Sequence, residues 1–331
     1  MPNVPPTILA QFALSSAVLR PVEHFGFSGS QLWKVDRGPL PPLSLKRWPA
    51  SHPPPARLPW IHGVLRRAHE AGLDFIPQSQ STRHGQTTCE ADGSTWELMA
   101  WLPGEVEERD PPPRRRVEAA FRALARFHQV TADFATNHLV APAFTVRYAR
   151  WLELSQGGCT NIARRVATRS IPEIDDLARQ WLATPQVDVH SDPLRLGEQL
   201  RAAAQLPLRL QPAIRDIWRD HVLFTGDEVT GFIDFGAMKI DTPLTDLARL
   251  IGSLAKNDSA LRAAALGAYA KILPLESRDR ELIELLDRTG RLIAGWNWLQ
   301  WLYVEDRQFP SLVAVRERLS ELLGALSTRS A

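Results

Sequence analysis

Cysteine is nearly absent: Cys89 and Cys159 are the only two in 331 residues. Two thiols that no motif pairs exclude a disulfide framework and read as unpaired groups in a reducing compartment. Long apolar runs are missing as well. No stretch approaches the ~20 residues that cross a bilayer. Met1–Pro6 lacks a basic segment followed by an apolar core, so no signal peptide is expected. Charge of one sign is also lacking, because 39 Lys and Arg stand against 37 Asp and Glu for a net +2. Nothing electrostatic therefore calls for a polyanion. The expectation is a cytoplasmic protein with no nucleic-acid and no membrane partner. Hydrophobic residues at 44% and charged residues at 23% leave ample material for a core.

Proline and tryptophan are plentiful, at 26 and 11. The prolines cluster at 39–42, 49–59 and 111–113, and such clusters read as stiff loops. Strands are expected at Gln31–Val35 and at Leu43–Trp48, where Leu43 and Leu45 share one face and Lys46 takes the other. Trp60–Ala71 reads as a helix stopped by Gly72. A hairpin follows over Thr87–Cys89 and Ser94–Leu102, closing on the Pro103–Gly104 turn. We place a boundary there, giving domains 1–100 and 101–331. The remainder reads as mainly helical. Arg114–Asp133 carries Val117, Phe121, Leu124, Phe127 and His128 at helical spacing, and further helices are expected at Val146–Leu154, Ile174–Leu182, Leu194–Gln205 and beyond Leu244. The exception is 213–236, where Val222–Phe224 and Val229–Ile233 flank a Thr-Gly-Asp turn and form a hairpin.

That hairpin separates two carboxylates, Asp216 and Asp234, each at a strand end where a rigid scaffold can present it. Phosphoryl transfer asks for such a pair. One carboxylate orients the attacking group, and the other holds a divalent metal on the phosphates.

The segment resembles the catalytic core of the aminoglycoside phosphotransferase and choline kinase superfamily. Members carry His-Gly-Asp-x-x-x-x-Asn-Val-Leu, a hairpin, Ile-Asp-Phe-Gly and then Pro-x-x-Asp-Leu-Ala. Here the corresponding stretches are 214–223, 233–236 and 243–248. The resemblance implies an α+β, protein-kinase-like, two-lobed fold, with a small antiparallel-sheet N-terminal lobe and a mostly helical C-terminal lobe. It makes Asp216 the catalytic carboxylate, Asp234 the metal ligand and Asp246 a structural group. It implies ATP and Mg2+ as cofactors and a small molecule as acceptor. Trp218 is also seen in fructosamine kinase-like members. Trp96–Glu105 is similar to the family's hinge, so Ala100 and Leu102 would offer backbone contacts to adenine, with Met99 behind them. Lys46 falls where the family's phosphate-binding lysine sits. Gly26, Ser28 and Gly29 would form the loop over the phosphates. His128 reads as a packed helix residue.

Three departures stand out. Ile214 and Arg215 replace the leading His-Gly. His221 replaces the metal-binding asparagine, and imidazole suits softer ions than Mg2+, so Mn2+ is expected to serve at least as well if His221 ligates. Finally, the helix after Lys46 has Trp60–Gly63 where a lysine-paired glutamate belongs, and Glu70 comes too late. The departures frame a rival reading, a pseudokinase that binds nucleotide without transferring phosphate. The joint retention of Asp216, Asp234 and Lys46 favours an active enzyme. For the acceptor, Trp298 and Trp301 share a helix face near Glu305 and Asp306, which suits a cationic or sugar-like molecule. The plainer reading of those tryptophans is core.

Overall fold

The computed structural model describes residues 4–22, 29–50, 53–134, 136–189, 192 and 195–327. Along the chain run α1 (Pro6–Gln11), β1 (Val18–Val22), β2 (Gln31–Arg37), β3 (Leu40–Trp48), α2 (Arg57–Glu70), β4 (Thr88–Ala91), β5 (Ser94–Ala100), α3 (Arg114–Val130), β6 (Thr136–Val140), α4 (Pro142–Glu153), α5 (Cys159–Thr168), α6 (Asp175–Ala183) and α7 (Leu196–Ala203). After these come β7 (Pro207–Ala213), β8 (Val222–Thr225), β9 (Glu228–Phe232), β10 (Lys239–Asp241), α8 (Leu244–Leu254), α9 (Ser259–Ala270), α10 (Ser277–Leu299) and α11 (Leu312–Ser327). Among the described residues no helix is long and apolar enough to cross a membrane.

The chain forms two compact units, each assembled from separate stretches. The first takes residues 1–134, 214–239 and 267–273, and the second takes 135–213, 240–266 and 274–331. The first unit is built on an antiparallel sheet of order β1-β2-β3-β5-β4. Alternation along β3 and β5 sorts its faces. Leu43, Leu45, Trp96 and Leu98 join Trp33, Val35 and the α1 residues Ile8 and Phe12 in one apolar cluster. Burying each such side chain contributes about 1.5–3 kcal/mol. Lys46, Trp48 and Glu97 fall on the opposite face by the two-residue period.

Glu97 is 6% exposed and bonds the α2 residue His62 at 2.8 Å, which ties helix to sheet through a buried polar pair. The β8–β9 hairpin belongs to the same unit. Phe224 and Phe232 bury their rings, and Phe224 exchanges backbone bonds with Glu105 at 2.8 and 2.9 Å. Gly104 makes this approach possible: it has φ +109°, and a Cβ there would meet Thr230 Oγ1 at 2.4 Å.

Two expectations need correction. The prolines at 39–42 are not all loop, since Pro41 and Pro42 lie inside β3. They sit where the β2–β3 register shifts between Val35 and Arg37, and an interrupted ladder tolerates residues without an N–H. The region after residue 101 is also less purely helical than expected. A three-stranded sheet of order β10-β7-β6 accompanies the helices. In the second unit Asp287 is clamped by Arg262 at 2.9 Å and Arg291 at 2.7 Å. Asp246 is fully buried in the first turn of α8, and Asp241 Oδ1 accepts the Ala143 N–H that opens α4 at 3.0 Å.

Candidate functional site

The first unit brings Lys46 and Asp234 together. Lys46 Nζ lies 2.9 Å from Asp234 Oδ1 although 188 positions separate them. Both groups are largely enclosed, with side-chain exposures of 12% and 25%. Lys46 Nζ also stands 3.7 Å from the centroid of the Trp48 ring, a cation–π contact. Trp48 in turn covers the backbone beyond Asp234: a Cβ on Gly236 would come within 2.4 Å of its Cη2. A lysine, an indole and the Asp-Phe-Gly turn are therefore stacked in order.

His221 stands between the Asp216 backbone and Asp234. Its Nδ1 lies 2.7 Å from the Asp216 carbonyl oxygen, and its Nε2 lies 3.9 Å from Asp234 Oδ2. The Trp218 indole N–H donates to the same Nε2 at 3.0 Å. An indole nitrogen can only donate, so Nε2 accepts and Nδ1 carries the proton that goes to the Asp216 carbonyl. His221 thus braces the loop, the task that the leading histidine of the resembled motif performs from another position. Ile214, which replaces that histidine, is 1% exposed and packs into the core. Both ring nitrogens of His221 are engaged, so metal ligation by it requires the indole bond to open.

Two residues of this site hold left-handed backbone, Arg215 at φ +68° and Asp234 at φ +61°. Residues other than glycine adopt that region at a cost of about 1–3 kcal/mol, and such strain gathers at functional sites. At 215 the resembled motif has glycine, which suits the conformation.

The neighbouring loop is held from the hinge side. Arg219 donates to the Glu107 carbonyl oxygen through Nε at 3.1 Å and also through Nη2. The Glu107 carboxylate takes two bonds of 2.8 Å from Arg109 and one of 2.9 Å from Arg116. The Arg109 hydrogen bonds, against the opposing effect of burial and with help from Arg116, hold it down at about 2.

Of the expected nucleotide contacts, Ala100 uses its N–H on the Gln78 carbonyl at 2.8 Å, which leaves its carbonyl oxygen as the group it can offer. Met99 is buried at 9% exposure, and Leu102 follows outside any helix or strand. Gly29 has φ +74°, while Gly26 and Ser28 lie outside the described residues. Glu70 faces Arg66 rather than Lys46. His128 is fully buried and bonds Tyr269 at 2.9 Å.

The tryptophan-rich helix end is largely packed. Trp296 donates to the Val187 carbonyl at 3.1 Å, Trp298 is 6% exposed and Trp301 is half-buried. The nearby acids are taken: Glu305 accepts from Gln300, and Asp306 pairs with Arg169. His62, Glu97, Trp48, Arg219 and Glu107 were not singled out by sequence reasoning. Only tertiary pairing reveals them, apart from the hinge segment that contains Glu97 and neighbours Glu107.

A model of the phosphotransferase enzyme family matches residues 20–282. The chain belongs to that family. It is a small-molecule phosphotransferase with the α+β architecture of the family. Among curated phosphotransferases it is similar to a homoserine kinase of Brucella anthropi, 25% identical over 76% of this chain and 71% of that protein. Another homoserine kinase, from Beijerinckia indica subsp. indica, is 28% identical over 75% of this chain and 70% of that one. The fold is shared with a spectinomycin phosphotransferase solved with ADP and spectinomycin, with TM-score 0.69, 11% identity and coverage of 99% of both chains. It is shared too with an aminoglycoside phosphotransferase from Alicyclobacillus acidocaldarius, with TM-score 0.60, 18% identity and coverage of 98% and 96%.

Proposed function

We propose that this phosphotransferase moves the terminal phosphoryl group of ATP to a hydroxyl group of a small amino acid or amino alcohol of the homoserine type. The observation that carries the catalytic part is the Lys46–Asp234 pair, with His221, which braces the Asp216 loop, standing beside it. The homoserine kinases among the relatives support the acceptor class.

In this reading Lys46 leaves Asp234 for the α- and β-phosphates when nucleotide enters, as a compact positive charge suited to them. Ala100 and Leu102 contact adenine in front of Met99, and Gly26, Ser28 and Gly29 cover the phosphates. Asp234 is freed to offer its oxygens to Mg2+. Among the described residues no cluster of three metal-ligating side chains exists. That donor set fits magnesium, which keeps waters and binds through one or two carboxylates plus substrate phosphates. The ion, when bound, neutralises charge on the transferring phosphoryl group. His221 would join Asp234 only by giving up Trp218, and Mn2+ would favour that arrangement.

Asp216 orients the acceptor. The hydroxyl oxygen forms a bond to the terminal phosphorus, the bond from that phosphorus to the ADP oxygen breaks, and the hydroxyl proton passes to the Asp216 carboxylate. The lobe division near residue 100 and a cytoplasmic setting are parts of the same proposal. Neither the family match nor the paired site favours a scaffold without transfer.

The test is ATP turnover against homoserine, amino alcohols and aminoglycosides, with phosphorylated product identified by mass. Asp216→Asn is expected to lower kcat by about 10²–10⁴-fold, the usual worth of a positioned proton acceptor, with nucleotide affinity retained. Equal turnover in Asp216→Asn would overturn the assignment.

A further inference from the structure

Lys46 and Glu97 face each other across two strands. In the antiparallel β3–β5 ladder they are direct partners. Both side chains therefore leave the sheet on the same face, with Cβ atoms about 4.5–5.5 Å apart. The same row runs from Leu32 on β2 to Thr88 on β4, so the acid and the base stand at its centre. Lys46 nevertheless gives its charge to Asp234, at 2.9 Å.

Glu97 is held in place from α2. It is 6% exposed, and its Oε2 lies 2.8 Å from Nε2 of His62, which is 2% exposed. A carboxylate only accepts, so the imidazole donates through Nε2. The other ring nitrogen, Nδ1, is buried without a partner. Leaving a buried polar atom unmatched is unfavourable, and the one polar contact the ring makes is with Glu97. The second carboxylate oxygen, Oε1, takes no hydrogen bond among the described residues. A carboxylate this shielded, served by a single donor, is short of compensation. An ammonium on a flexible stem directly across the ladder is the complement it lacks.

We propose that Glu97, oriented by His62, is a positioning residue that takes over Lys46 when nucleotide binds. The inference rests on the proposed function, in which Lys46 leaves Asp234 for the phosphates. On leaving, the ammonium keeps the Trp48 ring beneath it and gains Glu97 Oε1 beside it. It then meets the phosphates from a fixed base, and less side-chain freedom is lost on binding. Glu97 touches neither nucleotide nor acceptor and acts through Lys46 alone.

The experiment measures binding of MgATP and of adenosine by calorimetry in a set of variants. Glu97→Gln keeps the shape and an acceptor for His62 while removing the charge. It is expected to weaken ATP by at least about tenfold, the worth of one charge-assisted bond. Adenosine, which has no phosphates, should bind as before. Lys46→Ala should also weaken ATP, and adding Glu97→Gln to it should cost nothing further, because the two side chains act as one unit. His62→Gln, which retains a donor for Glu97, should keep the preference for ATP over adenosine, and His62→Leu should lose it. If Glu97→Gln does not fold, Glu97→Asp withdraws the charge by one methylene and is read in the same way.

Equal losses of ATP and adenosine in Glu97→Gln mark a purely structural role and overturn the proposal, as do additive losses in the double variant. Loss of ATP binding in Lys46→Ala but not in Glu97→Gln defeats this inference alone. Undiminished ATP binding in Lys46→Ala defeats the nucleotide grip and this inference with it. Absence of turnover in the wild type would defeat the phosphotransferase proposal and leave the binding comparison standing, so the two fail separately.

Discussion

At Gly236 the backbone passes so close under the Trp48 indole that a methyl group has no room, with 2.4 Å to the nearest ring carbon. Gly236→Ala is expected to lose about 1–3 kcal/mol of stability through overpacking, read as a lower midpoint in urea. Trp48→Leu in the same chain should recover part of that loss, because it reopens the space. Trp48 illustrates why part of the site was hidden in the sequence. Asp216, Asp234 and Lys46 stood out as candidates in the sequence because phosphoryl transfer needs two acids and a cation in a recognisable order, and the structure sets Lys46 2.9 Å from Asp234. Trp48, two places beyond Lys46, looked like one more core aromatic, and only the crossing of β3 over the Asp-Phe-Gly turn gives it a role.

Among elements, the strands with strict alternation were readable. β2, β3, β5 and the β8–β9 hairpin all stand where apolar and polar residues alternate beside turn residues. β7 was not, because Pro207 and Pro212 sit within it and suppress a strand reading. The missing lysine-paired glutamate was noticed, but its substitute was not. The position of α2 is secured by His62 and Glu97, 35 residues apart and joined at 2.8 Å. The strap between Glu107 and the loop that carries Arg219 has a pH signature. The Glu107 carboxyl titrates at about 2 in the fold, below its ordinary 4.5. A depressed carboxyl stabilises the fold above its unfolded value, and this stabilisation fades as pH falls toward the folded one. Glu107→Gln should therefore be less stable than wild type near neutrality. The gap in urea midpoint should close between about pH 4.5 and about pH 2.

Over the whole molecule, the units are not cut from the chain in sequence. The first needs 214–239 and 267–273 as well as its opening 134 residues. The later stretches supply Phe224, Phe232 and Tyr269, all 2% exposed or less. A fragment ending at residue 134 lacks these rings and the strap partner Arg219. It is expected to show no cooperative thermal transition by circular dichroism, whereas the full chain melts cooperatively. The two thiols fit the same economy of construction. Burial pushes Cys89 up to about 11 and Cys159 up to about 12, so both stay protonated near neutrality and unsuited to attack or exchange.

The contact of Lys46 with Trp48 gives the protein a built-in optical gauge. An ammonium resting on an indole face perturbs its emission. On the proposed reading a triphosphate draws that ammonium away and changes the surroundings of the ring, so emission is expected to respond to ATP in the wild type and to lose the Trp48 part of that response in Lys46→Ala.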